Sequence, residues 1–178
     1  MYNYFKRFMS RGICKKCENK VKYLNGRIES LTKSIGESLI PVEIKNKATK
    51  TIKPYKIHNI NTIVADSEYD TFSFNNWRQL LTDVYNNVKS QEKYTKNVFD
   101  CDDFALVFSG LITYSAFKSG FKNQLAFGIA WSKVHAFNIF IDDRNNAYIY
   151  EPQNNQIMVY DDAIKNKSYK VTKIWFLS

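Results

Sequence analysis

The stretch Val98-Phe99-Asp100-Cys101-Asp102-Asp103-Phe104-Ala105 decides how the chain reads as a fold. Beyond Asp100, the residues Phe104, Ala105, Phe108, Leu111, Ile112 and Ser115 form a helical stripe that opens at the cysteine, and Gly120 supplies the stop. Asp100 suits the N-cap. Asp102 and Asp103 fall in the first turn, where carboxylates complement the helix dipole. Upstream, Phe74, Trp77, Leu80, Leu81, Val84, Tyr85 and Val88 predict another helix, capped by Ser73 or Asn75. Downstream of Gly120 the pattern turns to strands: Leu125 to Trp131, Val134 to Ile141, Ala147 to Glu151, Met158 to Tyr160 and Val171 to Leu177. A helix opening with a cysteine, packed on an antiparallel sheet, is an α+β arrangement.

The polar run 142–146 reads as a hairpin loop, so that Ile141 faces Ala147 and His135 faces Gln153. Side chains alternate along strands, which puts His135, Glu151 and Gln153 on one face, with Glu151 a diagonal neighbour of His135. A slip of one residue would separate the imidazole from the carboxylate. A cysteine at a helix start lies where the dipole favours its thiolate, and a histidine held by a carboxylate is a suitable base. Cys101, His135 and Glu151 are therefore the candidate nucleophile, base and orienting group. The backbone N–H of Cys101 is the candidate oxyanion donor. Each residue also has a plain structural reading: a small buried thiol, a satisfied strand histidine, and aspartates that only complement a dipole.

The 178 residues carry a net charge of +9, unevenly spread. Residues 1–56 hold 14 Lys/Arg against 4 Asp/Glu, and the remainder is close to neutral. Within the basic third, Cys14, Cys17, Val21, Leu24, Ile28, Leu31, Ile35 and Leu39 recur at nearly heptad spacing. Residues 1–40 thus read as a basic amphipathic helical extension suited to self-association or protein docking through 14–39. Residues 41–61 read as a basic linker or arm, and 62–178 as the compact domain. Cys14 and Cys17 fit the helix seam better than a zinc site, since no second ligand pair accompanies them. Three cysteines favour a reducing compartment over a disulfide framework. Neither a signal peptide nor a membrane-spanning run is expected, which points to a cytoplasmic or virion-associated protein.

Phe99 to Ala105, His135-Ala136-Phe137-Asn138 and Glu151-Pro152-Gln153 resemble, in that order, the papain-like cysteine protease domain at the C-terminus of Marasmius oreades agglutinin and its small phage and bacterial relatives. The similarity runs from about Ile63 to the C-terminus. The resemblance implies a papain-like fold and a calcium-dependent cysteine peptidase acting on a peptide or protein through Cys101, His135 and Glu151. It also implies that Asp102 and Asp103 ligate Ca²⁺. Asp66, Glu68 and Asp70 are further ligand candidates, because Ca²⁺ takes about 6–8 oxygens. Gln153 and Asn138 are expected as supporting partners around the site. The agglutinin's sugar-binding trefoil has no counterpart, so no lectin activity is expected. Two other readings stand beside the peptidase: a virion or assembly protein with a vestigial site, and nucleic-acid binding by the basic arm.

Overall fold

A computed structural model describes residues 41–53, 60–89, 94–96 and 99–176. The heptad-like segment 14–39, its Cys14 and Cys17, and the basic positions before residue 41 lie outside the described residues. The elements run β1 (Lys50–Ile52), β2 (Asn61–Val64), β3 (Tyr69–Thr71), α1 (Phe74–Lys89), α2 (Cys101–Lys118), β4 (Phe127–Trp131), β5 (Ala136–Ile141), β6 (Ala147–Glu151), β7 (Gln156–Val159), α3 (Tyr160–Ala163), a 3-10 turn (Lys167–Tyr169) and β8 (Lys173–Phe176). The class is α+β. Among the described residues one sheet has the order β2-β8-β4-β5-β6-β7, and β1 pairs with β3 in a separate ribbon.

Helix α1 starts after Ser73, whose Oγ accepts from Asn76 N–H at 3.4 Å, and it buries Trp77, Leu80, Leu81, Val84 and Val88. Helix α2 starts at Cys101, with the N–H of Asp100 donating to Asp103 Oδ2 at 3.1 Å. It ends at Gly120, where φ is +79°, a conformation that glycine adopts without a Cβ penalty. Both helices pack on one sheet face, where Phe104, Phe108, Leu111 and Ile112 meet Phe127, Phe140 and Tyr150. The opposite face buries Phe137, Ile139, Ile141, Ile149 and Ile174 under Ile52, Tyr69 and Tyr160. Strand β5 is covered on both faces, so all six of its residues are buried. Its apolar-rich sequence AFNIFI follows from that cover. Gly128 in β4 lets β8 close in, because a Cβ there would collide with the Trp175 carbonyl.

The β5–β6 register is the expected one: Asn138 pairs with Tyr150 and Ile141 with Ala147. Asp142 fixes the loop, its Oδ1 accepting from Arg144 N–H at 2.9 Å and Asn146 N–H at 2.8 Å. Two expectations change. The sheet is not wholly antiparallel, since β2 pairs parallel to β8 at one edge. The arm expected over 41–61 is fastened to the domain along its described part. Val42 N–H donates to Ser115 Oγ at 2.9 Å, Ile44 N–H donates to Ser119 Oγ at 3.0 Å, and β1 pairs antiparallel with β3. Two apolar residues, Val42 and Ile44, pack against the helical core there and outweigh the polar composition around them. Among the described residues no helix is long and apolar enough to cross a membrane.

Candidate functional site

His135 sits just before β5, in a tight turn in which Ser132 Oγ accepts from His135 N–H at 3.0 Å and from Val134 N–H at 3.2 Å. Glu151 ends β6, 3% exposed. Their side chains meet, Nε2 to Oε2, at 2.6 Å. A carboxylate only accepts hydrogen bonds, so Nε2 is the donor in this contact and Nδ1 is the ring nitrogen left for another partner. Two more donors hold Glu151: Tyr169 O–H reaches Oε2 at 3.0 Å and Gln153 N–H reaches Oε1 at 3.3 Å. A buried carboxylate with three donors has the desolvation of its charge offset.

Tyr169 is the member that sequence reasoning missed. It lies in a three-residue 3-10 turn, which has no periodicity to read. Its ring meets His135 edge-on at 5.7 Å and Phe137 at 5.2 Å, confining the imidazole. Burial, then the Glu151 charge, pushes its phenol up to about 12. The folded chain therefore keeps this proton over a range where the unfolded chain, near 10.0, has lost it. That contribution is complete below the unfolded value and disappears as pH climbs through the folded one. Stability is expected to fall between pH 10 and 12, and Tyr169→Phe is expected to fall less. Urea midpoints of both proteins at about pH 9.5 and about 11.5 check this.

Cys101 is half-buried at the start of α2. Phe104, one turn on, shares a hollow with Pro152 and Gln153. Gln153 also lines the open groove of about 410 Å³ that holds His135, Glu151, Asn154, Ser168 and Tyr169. The first turn of α2 and the His135–Glu151 pair thus border a common residue. Asn138 does not join them. It is fully buried on the other face of β5, where its Nδ2 donates to the carbonyls of Ala105 at 2.9 Å and Gly128 at 3.1 Å, tying the sheet to α2.

The expected Ca²⁺ ligands Asp102 and Asp103 and the further candidates Asp66 and Glu68 lie towards opposite ends of α2. Asp100, Cys101 and Asp102 bring their ligand atoms within 4.8 Å of one another, but a thiol is a poor partner for a hard cation. Asp103 is taken up by the cap. A hydrogen bond with Asp100 raises the Asp102 carboxyl above the usual carboxylate range. Asp66 and Glu68 line a groove with Ala116 and Phe117 near the far end of α2, about 20 Å from Asp102 at the helical rise per residue. Asp70 is engaged by Thr51 Oγ1 at 2.7 Å and Asn123 Nδ2 at 3.1 Å.

No family model and no curated protein matches the chain. Solved structures do. A PSL1a–E64 complex matches with a TM-score of 0.52 at 20% identity, covering 67% of this chain and 44% of that one. Polyporus squamosus lectin bound to the human-type influenza-binding epitope Neu5Acα2-6Galβ1-4GlcNAc matches with a TM-score of 0.51 at 19% identity, covering 66% and 42%. The chain spans less than half the length of these lectin chains, and at this identity the likeness is one of fold. It agrees with the resemblance to an agglutinin and overturns the function drawn from that resemblance. The structures sharing the fold are those of a lectin, so the calcium-dependent cysteine peptidase of phage or virion context is withdrawn. The virion-assembly and nucleic-acid readings gain no support from these structures, and residues 1–40, which carry most of the net positive charge, lie outside the described residues. The α+β architecture is what this chain shares with the lectin structures.

Proposed function

We propose that this domain carries a thiol–imidazole–carboxylate site in a papain-like arrangement, with Cys101 as nucleophile, His135 as proton acceptor and Glu151 as the group that orients it. The chemistry it suits is activation of the thiol: the Cys101 proton passes to Nδ1 of His135, leaving a nucleophilic thiolate beside an imidazolium. The observation that carries this reading is the 2.6 Å His135–Glu151 contact, which fixes the tautomer a base at Cys101 needs. Alkylation of Cys101 by iodoacetamide, followed site by site with mass spectrometry, tests it. The expected rate at pH 6 exceeds that of glutathione by at least about tenfold. A rate equal to glutathione's overturns it.

A second reading is favoured by the groove's chemistry. Tyr169 and His135 offer ring surface, while Gln153, Asn154 and Glu151 offer polar groups, a combination suited to a sugar's apolar face and hydroxyls. One of the lectin structures holds the Neu5Acα2-6Galβ1-4GlcNAc epitope. Titrating that trisaccharide while following amide shifts of Gln153 and Asn154 tests carbohydrate binding. Saturable shifts lost in Tyr169→Ala support it, and unmoved amides exclude it at this groove.

A further inference from the structure

Glu151 receives three donors, and two of them share one oxygen. His135 Nε2 lies 2.6 Å from Oε2 and Tyr169 O–H donates to the same Oε2 at 3.0 Å, while Gln153 N–H reaches Oε1 at 3.3 Å. His135 precedes β5 and Gln153 follows β6, so both come with the hairpin that carries Glu151. Tyr169 comes from elsewhere in the chain. Its 3-10 turn, Lys167–Tyr169, links α3 to β8. That turn is held from within and at its exit. Asn166 Oδ1 accepts from Ser168 N–H at 2.9 Å, Tyr169 N–H donates to the Asn166 carbonyl at 3.0 Å, and Thr172 N–H donates to the Trp131 carbonyl at 2.7 Å. Fixed backbone thus delivers the phenol to Oε2.

Two donors on one oxygen compete. A carboxylate oxygen that spends part of its charge on one hydrogen bond attracts the next proton less. The phenol hydrogen also stands beside the imidazole N–H, so it opposes a full positive charge on that ring. Both effects act in one direction, lowering the proton affinity of His135. The phenol itself, pushed up to about 12, stays a donor across the whole range in which an imidazole titrates. The tyrosine ring acts separately. Its edge-on contacts with the imidazole at 5.7 Å and with Phe137 at 5.2 Å limit rotation of His135.

We propose that Tyr169 is a positioning residue of the thiol site, its hydroxyl restraining the basicity of His135 through Glu151 and its ring holding the imidazole in the orientation that presents Nδ1 to Cys101. The proposal rests on the thiol–imidazole–carboxylate reading above. The other charged and titratable groups around the imidazole are Asp100, Cys101 and Asp102 at the start of α2 and the exposed Lys133, Lys167 and Lys170. Tyr169→Phe leaves all of these in place and removes a single oxygen atom.

Tyr169→Phe and Tyr169→Leu separate hydroxyl from ring. The titration of His135 is followed in the full chain by NMR through its Cε1–H signal, with His58→Gln identifying which of the two histidines it belongs to. In Tyr169→Phe the midpoint is expected to rise by about half a unit. Alkylation of Cys101 at pH 6 is then expected to quicken about threefold, because a stronger base holds more of the thiolate–imidazolium pair. Rates at about pH 9 are expected to match wild type. Tyr169→Leu shares the raised midpoint but lacks the ring contact, and its rate at pH 6 is expected to fall below wild type. Urea midpoints confirm that each variant is folded. An unmoved or lowered His135 midpoint in Tyr169→Phe would overturn the role of the hydroxyl, and a Tyr169→Leu protein as fast as Tyr169→Phe would overturn that of the ring. A wild-type Cys101 no faster than glutathione would instead overturn the thiol reading beneath the proposal, an outcome told apart by the His135 midpoint, which needs no thiol chemistry.

Discussion

Replacing His135 with Ala is expected to slow alkylation of Cys101 about 100-fold at pH 6, with the difference shrinking towards none by about pH 9. The reacting species is the thiolate. An ordinary thiol is well under 1% thiolate at pH 6 and mostly thiolate by about pH 9. A histidine that takes the proton converts that small fraction into a standing thiolate–imidazolium pair, and the advantage is therefore largest in acid. Glu151→Gln leaves a side chain of similar size but removes the charge beside Nε2, and its amide cannot hold Tyr169 O–H, Gln153 N–H and His135 together in the same way. It is expected to lose about tenfold at pH 6 with the same convergence at high pH. That convergence separates a base from a packing role. A variant slower by the same factor at every pH would show that His135 only shapes access to Cys101, and equal rates for all three proteins would sink the thiol site altogether.

The residues of this site differ in how far the sequence exposes them. A five-residue polar loop and strict alternation bring His135 and Glu151 to one face, and Asp142 anchors that loop in the structure. The start of α2 was equally open to reading, since a cap, two acidic residues and an apolar stripe all agree on it. Tyr169 was hidden because a 3-10 turn carries no repeating pattern, and its hydroxyl matters only through a residue 18 positions away. Asn138 shows the reverse: it follows His135 closely in sequence, yet an odd spacing turns it to the opposite face of the sheet. The parallel β2–β8 edge joins strands of four residues separated by more than a hundred positions, and no local signal specifies such a pairing.

One indole joins α1 to the sheet. Trp77 is fully buried at the junction of α1, β3 and β5, and its Nε1–H lies 2.9 Å from Thr71 Oγ1 and 3.1 Å from the Ile141 carbonyl. Its ring stacks on Phe127 at 5.9 Å, lies against Phe140 at 5.1 Å and meets Phe72 edge-on at 5.2 Å. Trp77→Ala removes that surface and leaves a cavity between helix and sheet, and the expected loss is about 3–5 kcal/mol. Domains of this size are commonly stable by only about 5–15 kcal/mol, so the urea midpoint should fall by about a fifth or more. Trp77→Phe keeps most of the stacking and loses only the donor. Thr71 O–H still serves the Ile141 carbonyl, so the acceptors are not stranded, and the expected cost is about 1–2 kcal/mol. The gap between the two variants measures packing against hydrogen bonding. If Trp77→Phe proved as costly as Trp77→Ala, the indole N–H would be the larger contribution and the aromatic cluster secondary. A Trp77→Ala protein within about 1 kcal/mol of wild type would mean that the β3–α1–β5 junction is held by something other than this side chain.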